Sequence, residues 1–407
     1  MFAALLAPVL AMLAGGGDTR PPDTVELEGG VKLTGRVVFE DQDELVLRVG
    51  SNERTFARKK VVRFESRFAD LRTLHKRWRE LPENDLAGTL ALARRCREQK
   101  FEDEARLFAW YVLSYSPRDA AAHEFLGHEH VRDQWIVADG SRRWNYEKLL
   151  ELRKDWKDAW ELASEHYRVR SNLPLHDAVT ALLDMEGAYE AFYQLLGRQL
   201  RFRELVDPLL AQVHADAKSF PESVGDSRSY YDRAGKILLV NAAGGFDRGA
   251  VVHEATHQLL DACMQNTRSA RGDVPGWLNE GLAEYIRAAM GGTAGRGLPV
   301  EGQLDLARFR EHAQSQGAYD LPRVLNFGAD DFAGSSKTSL KYSQSYTLVC
   351  WGLFGEGGQL RERFFGYLRE ACKGNSSSTA FKEQMKLDER GIEKSWTAFV
   401  QAKAAAK

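Results

Sequence analysis

The stretch Val251–Leu260, VVHEATHQLL, decides how the rest of this chain is interpreted. It holds the pattern H-E-x-x-H in an apolar frame, and on an α-helix this spacing places His253 and His257 one turn apart on one face. Two imidazoles so placed supply two of the three protein ligands that a catalytic zinc site needs. Glu254, which lies between them, can take a proton from water that such a metal activates.

A second stretch, Val274–Tyr285 (VPGWLNEGLAEY), carries two further carboxylates. Pro275 fits the first turn of a helix. An apolar stripe at helical spacing follows: Leu278, Leu282, Tyr285, Ile286 and Ala289. Glu280 and Glu284 are one turn apart beside this stripe, so they repel each other unless a cation or a hydrogen-bond donor lies nearby. A zinc ion and a ligand histidine would supply both.

The pairing of H-E-x-x-H with a downstream W-L-N-E-G-x-A resembles the gluzincin metallopeptidases. The resemblance implies that His253, His257 and Glu280 bind Zn²⁺ and that Glu254 is the general base. It also implies that Glu284 accepts the N–H of a ligand histidine, which fixes the imidazole's tautomer. Between His257 and Glu280 lie 22 residues, more than is common in gluzincin aminopeptidases, so we expect a longer loop through residues 268–273.

The run Lys341–Val349 (KYSQSYTLV) offers a fourth component of the same site. Similar gluzincins carry a tyrosine at the start of a helix after the third ligand, and its hydroxyl donates to the oxyanion of the tetrahedral intermediate. Tyr342 matches that position best, and Tyr346, one turn later, is the alternative. Both could instead be core tyrosines of an amphipathic helix.

Over residues 164–402 the chain resembles a bacterial branch of the peptidase-MA-like gluzincins, with an SH3-like barrel and TPR-like helices before the peptidase domain. This predicts an α+β, zincin-like domain that is mainly helical with a small sheet. Lys236–Asn241 (KILLVN) is expected to be a strand of that sheet, and it directly precedes the H-E-x-x-H helix. In gluzincin aminopeptidases, a G-A-M-E-N segment on the strand before the zinc helix holds the substrate amine. This chain has no such segment on that strand, which favours endopeptidase over exopeptidase action.

Length and periodicity divide the chain into four predicted parts. Residues 1–21 are expected to be a signal peptide and spacer, and residues 22–67 alternate in short period-two runs typical of a five-stranded SH3-like barrel. Residues 68–163 turn to a helical period that resembles a tetratricopeptide repeat, and residues 164–407 form the metallopeptidase domain. The barrel and the helical segment are candidate surfaces for a protein partner.

The apolar run Phe2–Ala14 predicts export to the periplasm or the extracellular space. It has the length of a signal-peptide core and is too short to span a membrane, but no Lys or Arg precedes it. The alternative is a disordered or mis-started N-terminus. No later stretch is apolar and long enough to span a membrane.

Composition argues against nucleic acid as a partner. Across 407 residues, 56 Lys and Arg stand against 58 Asp and Glu, for a net charge of −2. With a pI near 6.6 the chain lacks the overall basic balance that phosphate binding favours. The expected partner is a peptide or protein substrate.

Two further groups of metal-binding residue types are expected to play no part in catalysis. Cys96, Cys263, Cys350 and Cys372 show no C-x-x-C spacing and are read as buried free thiols, although a bridge from Cys263 to Cys350 is conceivable. The run His128-Glu129-His130 falls in the helical segment, where side chains two residues apart point in nearly opposite directions. We interpret it as a solvated polar patch.

Together these patterns predict a zinc-dependent hydrolase that cleaves peptide (amide) bonds, as an endopeptidase or an amidase of similar mechanism. The alternative is a non-catalytic interaction or scaffold protein that holds a structural zinc in a peptidase-like fold. Retention of Glu254 favours the enzyme, because a structural site has no use for a general base.

Overall fold

The computed structural model describes residues 21–221, 229–266, 274–291, 302–333 and 336–406. The predicted signal peptide and the predicted loop at residues 268–273 lie outside these ranges. The fold mixes helix and sheet, with a sheet region at the N-terminus and a helical C-terminal part, as predicted. Of the described residues, 21–190, 204–221 and 229–254 form one compact unit, and 191–203, 255–266, 274–291, 302–333 and 336–406 form a second.

The N-terminal sheet is antiparallel, with strand order β4-β3-β2-β1-β5. Its strands are β1 (Asp23–Leu27), β2 (Lys32–Glu40), β3 (Glu44–Val49), β4 (Asn52–Ala57) and β5 (Val61–Phe64). Alternate residues point inward and form one apolar cluster: Val25, Val37, Leu45, Leu47 and Val61. Val38, Phe39 and Val46, on the opposite face of β2 and β3, form a second buried cluster, so these two strands are buried on both faces instead of alternating. An SH3-like barrel stays a prediction.

Four helices follow the first sheet. They are α1 (Arg67–Glu80), α2 (Leu86–Glu98), α3 (Glu102–Tyr115) and α4 (Ala120–Phe125). Ser66, Asp85 and Asp119 cap three of them, each accepting a hydrogen bond from a backbone N–H of the first turn. Helix α3 is the most buried of the four, and Phe108 on it is fully shielded from solvent. The likeness of this segment to a tetratricopeptide repeat stays a prediction.

A three-stranded antiparallel sheet, which the sequence did not indicate, interrupts the helical segment. It consists of β6 (Glu129–Val131), β7 (Gln134–Asp139) and β8 (Arg142–Asn145), and α5 (Tyr146–Leu152) follows it. The two-residue turn between β6 and β7 is made by Arg132 and Asp133, both with positive φ, at 49° and 61°. Such turns usually carry Asn-Gly or Asp-Gly, so this one gives no hairpin signal in the sequence.

The interpretation of His128-Glu129-His130 as a solvated patch is wrong for its first member. His128 precedes β6 and is only 7% exposed, whereas Glu129 and His130 on the strand are exposed. The ring of His128 packs against Trp110, with 5.4 Å between ring centroids. Burial arises because the chain turns into a strand here instead of continuing as a helix.

A second five-stranded sheet has the order β12-β13-β11-β10-β9. Its strands are β9 (Trp160–Ala163), β10 (Tyr167–Ser171), β11 (Leu209–His214), β12 (Ser229–Asp232) and β13 (Ile237–Asn241). Strands β10, β11 and β13 are parallel, and the outer strands β9 and β12 run antiparallel to their neighbours. The predicted strand at Lys236–Asn241 is β13; it lies inside the sheet, and β12 forms the edge beside it.

Helix α6 (Leu175–Phe192) connects β10 to β11, and it continues through a π-helical turn, Tyr193–Gly197, into α7 (Arg198–Leu200). The remaining helices follow β13. They are α8 (Arg248–Asn266), α9 (Gly276–Met290), α10 (Leu306–Gln314), α11 (Leu321–Leu325), α12 (Thr338–Phe354), α13 (Arg361–Cys372), α14 (Ser378–Met385) and α15 (Glu389–Ala404). None of the helices within the described ranges has the length and hydropathy needed to cross a membrane.

The four cysteines are free thiols in buried positions, as expected. Cys263 and Cys350 form no bridge, and Cys263 Sγ lies 3.0 Å from the hydroxyl of Tyr193. Burial raises the pKa of Cys372 to about 12 and raises the pKa of Cys350 as well. The thiols of Cys350 and Cys372 are therefore protonated at neutral pH, and all four cysteines serve as core side chains.

Helix α9 packs closely on α12 at Gly281. A Cβ atom at this position would lie 2.6 Å from the carbonyl oxygen of Ser345 and 2.7 Å from Cγ2 of Val349. Only glycine allows the two helices to approach to this distance. The glycine of N-E-G therefore sets the distance between the helix that carries Glu280 and the helix that carries Tyr342.

The first unit buries a charged network, in which Arg67 and Glu165 are the best-paired members. Nε and Nη2 of Arg67 donate to the two carboxylate oxygens of Glu165 at 2.9 Å and 3.0 Å. Their side chains are 7% and 3% exposed. The Arg67 guanidinium also lies 3.9 Å from the ring centroid of Phe101. The pair joins the start of α1 to the turn before β10.

We expect Arg67→Ala to lower the free energy of unfolding by about 3–5 kcal/mol, because the carboxylate of Glu165 would stay buried without its counter-charge. Chemical denaturation followed by circular dichroism measures this change. Arg63→Ala is the matched control, because Arg63 pairs with Glu65 at the surface, where the side chains are 72% and 56% exposed. Equal losses in the two variants would contradict the assignment.

We expect Gly281→Ala to destabilise the protein by about 1–3 kcal/mol, since the added methyl group would meet the α12 backbone. Gly366→Ala is the control: Gly366 lies within α13, and its Cβ would meet only the side-chain end of Gln384, at 2.7 Å. That substitution should be neutral or stabilising, because alanine favours helix. Thermal unfolding of both variants compares them, and a stable Gly281→Ala protein would refute close packing here.

Candidate metal centre

The H-E-x-x-H motif lies on α8, a helix whose start is fixed from two sides. Asp247 Oδ1 accepts the backbone N–H of Ala250 at 3.1 Å, which satisfies an N–H of the first turn. Arg248 then donates from Nε and Nη2 to the two oxygens of Asp184 on α6, both at 2.8 Å. Asp184 is 1% exposed. Because Arg248 lies five residues before His253, this bidentate ion pair fixes the rotation of the helix about its axis.

One face of α8 is apolar and buried. Its buried residues include Val251, Val252, Ala255, Leu259 and Leu260. His253 and His257 lie one turn apart on this helix, and their side chains are largely buried, with His253 8% exposed. Packing of the apolar neighbours therefore holds both imidazoles in place before any metal binds.

The structure brings His253, His257 and Glu280 together. One ligand atom from each of them lies within 4.8 Å of the other two. Nε2 of His257 is 3.3 Å from Oε2 of Glu280, and these side chains are 11% and 14% exposed. Among the described residues no other group of three His, Cys, Asp or Glu side chains comes so close.

The donor set fits a zinc ion. Ligands bound at about 2.0–2.2 Å to a tetrahedral Zn²⁺ lie about 3.4 Å from each other, which matches the separation of the His257 and Glu280 atoms. Two imidazoles and one carboxylate are also the donor types that catalytic zinc sites use, with the fourth position open. The three residues could therefore hold the ion with small side-chain movements.

Glu254 follows His253 directly on α8 and is partly exposed. Because neighbouring helix residues point about 100° apart, its carboxylate does not belong to the group of three. A carboxylate placed beside a metal site and open to solvent can accept a proton from water. The geometry thus leaves Glu254 available for proton transfer.

Glu280 is positioned by the first turn of α9, which is anchored in the core. The N–H of Trp277 donates to the carbonyl of Phe327 at 3.2 Å, and a Cβ at Gly276 would meet the backbone of Gly328 at 2.6 Å. The Trp277 ring is fully buried and stacks on Tyr367. Trp277 and Gly276 therefore keep the start of α9, and with it Glu280, in place.

Glu284 lies one turn after Glu280 and is 3% exposed. Its Oε2 accepts from Nη2 of Arg287 at 2.8 Å and from Nε of Arg308 at 3.0 Å. From the sequence, we expected a zinc ion and a histidine to offset the charge of this carboxylate. In the structure, the guanidinium groups of Arg287 and Arg308 lie beside it. The contact of Glu284 with a ligand histidine stays a prediction.

Arg308, on α10, is a residue that the sequence did not identify. It bonds to Glu284, and its guanidinium carbon lies 5.8 Å from the ring centroid of Tyr342. It thus joins two of the predicted site residues. The sequence pointed to Arg308 only indirectly: a carboxylate beside an apolar stripe needs a cation nearby, but its position in the sequence does not show which residue supplies that cation.

The two candidate tyrosines of α12 lie in different surroundings. Tyr346 is fully buried, and its hydroxyl oxygen accepts the backbone N–H of Asp305 at 2.7 Å. Burial raises the pKa of Tyr346. Tyr342 is partly exposed, and its ring lies against Phe332 at 5.1 Å between centroids. Of the two, Tyr342 is accessible to solvent, whereas Tyr346 belongs to the core.

Comparison with known proteins agrees with this geometry. No curated protein matches the chain. Residues 211–402 match the family model described as the Peptidase MA superfamily, and this range contains every predicted site residue from His253 to Tyr342. The match covers a little under half of the chain and supports a gluzincin-like peptidase domain in this part of it.

Proposed function

We propose that this protein is a zinc-dependent hydrolase that cleaves peptide bonds, and that it acts as an endopeptidase. The observation that carries the proposal is the approach of His253, His257 and Glu280 to within 4.8 Å, inside the range that matches the Peptidase MA superfamily. An imidazole pair and a carboxylate at this spacing have a clear use in metal binding. A peptide or protein is the substrate.

Each residue of the chain has a defined task in this mechanism. A Zn²⁺ ion bound by His253, His257 and Glu280 supplies a Lewis acid, which acidifies water and polarises a carbonyl group. Glu254 removes the proton from the attacking water and later delivers it to the leaving amine. The hydroxyl of Tyr342 donates a hydrogen bond to the oxyanion that forms on the former carbonyl oxygen.

Glu284 acts on the ligands and not on the substrate. We propose that it accepts the N–H of a ligand histidine while Arg287 and Arg308 hold its charge. A carboxylate fixed in this way stays ionised and orients its partner. The same arginines lower the cost of burying Glu284 one turn from Glu280.

Two features outside the site complete the proposal. The apolar run Phe2–Ala14 supports export to the periplasm or the extracellular space, where the peptidase would meet peptide substrates. The segments 22–67 and 68–163 are proposed to bind or position a protein partner. Neither feature enters the chemistry.

We expect Glu254→Gln to keep its zinc and to lose cleavage by a factor of about 10²–10⁴, because the amide cannot accept the proton. The measurement combines zinc quantification by mass spectrometry with cleavage of a denatured protein mixture, with and without a chelator. Glu383→Gln, a change of the same type at an exposed position on α14, is the control and should match the wild type.

Cleavage by Glu254→Gln that equals the wild type and resists the chelator would refute the enzyme. Absence of cleavage by all three proteins, with zinc bound in each, would favour a scaffold that holds a structural metal. Glu280→Gln separates metal binding from catalysis, since it should reduce the zinc content itself.

We expect Tyr342→Phe to lower kcat by a factor of about 10²–10³ with unchanged zinc content, because one oxyanion donor is lost. Tyr346→Phe should leave kcat unchanged and should cost about 1–3 kcal/mol of stability, since the N–H of Asp305 would lose its acceptor. Steady-state kinetics and thermal unfolding of both variants test this. The reverse pattern would assign the oxyanion role to Tyr346.

A further inference from the structure

A cavity of about 540 Å³ lies in the first unit, between α3, the three-stranded sheet and β9. Its volume falls in the range of small-molecule sites. None of the residues that line it belongs to the metal centre. Its walls combine two tryptophans, Trp110 and Trp160, with charged side chains and with His128.

The histidine that lines this cavity presents an acceptor, because a chain of hydrogen bonds fixes its tautomer. His123 Nε2 lies 3.0 Å from the carbonyl oxygen of Pro117, which can only accept, so this nitrogen carries the proton. Burial lowers the pKa of His123, so the ring is neutral and its Nδ1 accepts. Nδ1 of His128, 2.7 Å away, therefore donates to it.

This leaves Nε2 of His128 as an unprotonated nitrogen. Burial, His123 and Arg106 lower the pKa of His128 to about 4, so the ring is neutral at physiological pH. No described residue bonds to Nε2, although the side chain is 93% buried and lines the cavity. An N–H or O–H group of a ligand would satisfy it.

Two cations of the cavity wall have no ion-pair partner among the described residues. These are Arg106 on α3 and Lys157 after α5. Arg153, in contrast, is occupied, since Nη2 lies 2.9 Å from Oδ1 of Asp139 and Nη1 donates to the carbonyl of Asp158. The free cations are thus available to an anionic group.

The charge of the wall as a whole limits that anion. Three cationic and three acidic side chains line the cavity: Arg106, Arg153, Lys157, Asp139, Asp158 and Glu161. Because these charges balance, the wall disfavours a multiply charged anion such as a nucleotide. The guanidinium of Arg106 beside His128 also disfavours a metal ion. A single carboxylate with a neighbouring donor fits both constraints.

We propose that this cavity binds the carboxylate end of an amino acid or a peptide. The carboxylate is held by Arg106 and Lys157, and an adjacent N–H group donates to Nε2 of His128. A free amino acid and a peptide C-terminus share this chemistry. Neither the cavity nor its test depends on peptide-bond cleavage by the metal centre.

The test is calorimetric titration of the full chain carrying Glu254→Gln, which prevents turnover of the probes. We expect saturable binding of trialanine, and at least about tenfold weaker binding of trialanine amide, which lacks the carboxylate. Titration with alanine distinguishes the sources. Binding as tight as that of trialanine assigns a free amino acid, and weaker binding assigns a peptide end.

Variants locate the site within the chain. Arg106→Gln combined with Lys157→Gln should weaken trialanine binding at least about tenfold, and His128→Phe should weaken it severalfold by removing the acceptor. Arg94→Gln, which removes an exposed cation of α2 outside the cavity, is the control and should bind normally. Circular dichroism verifies that each variant is folded.

Three results would overturn the proposal: no binding of trialanine or alanine, equal binding of trialanine and its amide, or normal binding by the double variant. The comparison of acid with amide uses a single protein, so it decides the question even if the His128 variant unfolds. If the double variant binds normally, loss of binding on further replacement of Glu280 would place the peptide at the metal centre instead.

Discussion

Carboxylates taken out of water need a cation or a set of donors, and this requirement organises the peptidase-like part of the chain. Glu284 is almost fully buried and accepts from Arg287 and Arg308. Asp184 is also buried, and Nε and Nη2 of Arg248 donate to its two carboxylate oxygens. An unpaired ion at either position would cost several kcal/mol. These ion pairs therefore fix both the positions of the helices that carry the charged groups and their rotation about their own axes.

The positions of His253, His257 and Glu280, the proposed metal ligands, follow from this constraint and from close helix packing. The two histidines share one helix, so their mutual geometry needs nothing beyond the helical repeat. The proposed third ligand, Glu280, comes from a second helix, and its placement depends on tertiary packing. Trp277 and Gly276 anchor the start of α9, and Gly281 lets that helix approach α12. Trp277, Glu280 and Gly281 of W-L-N-E-G thus have separate physical roles.

Local features were predictable from the sequence, whereas partners distant in the chain were not. The H-E-x-x-H helix, the helix start near Pro275 and the proximity of Glu280 to the two histidines follow from spacing and from resemblance. Arg308, which lies 24 residues after Glu284, could not be identified, because no periodicity connects separate helices. Burial, which only the fold reveals, separates Tyr342 from Tyr346.

The small sheet β6–β8 also could not be predicted from the sequence, although its strands are close to one another in the chain. Its first turn places Arg132 and Asp133 at positive φ, and it has Asp133 at the second position, where such turns usually have glycine. The helical pattern on both sides therefore suggested a continuous helical segment. This sheet buries His128 and forms one wall of the cavity. A sheet that was not predicted from the sequence thus helps to form the cavity that we propose as a second binding site.

The same helix carries Glu280 and Glu284 one turn apart, and their neighbours assign them different chemistry. Glu284 faces two guanidinium groups, which only donate hydrogen bonds and offer a metal ion no lone pair. Glu280 faces an imidazole nitrogen 3.3 Å away, and an imidazole can release its proton and bind a metal together with the carboxylate. Two glutamates that look equivalent in the sequence are therefore distinguished by whether the nitrogen group that each of them faces can also bind a metal.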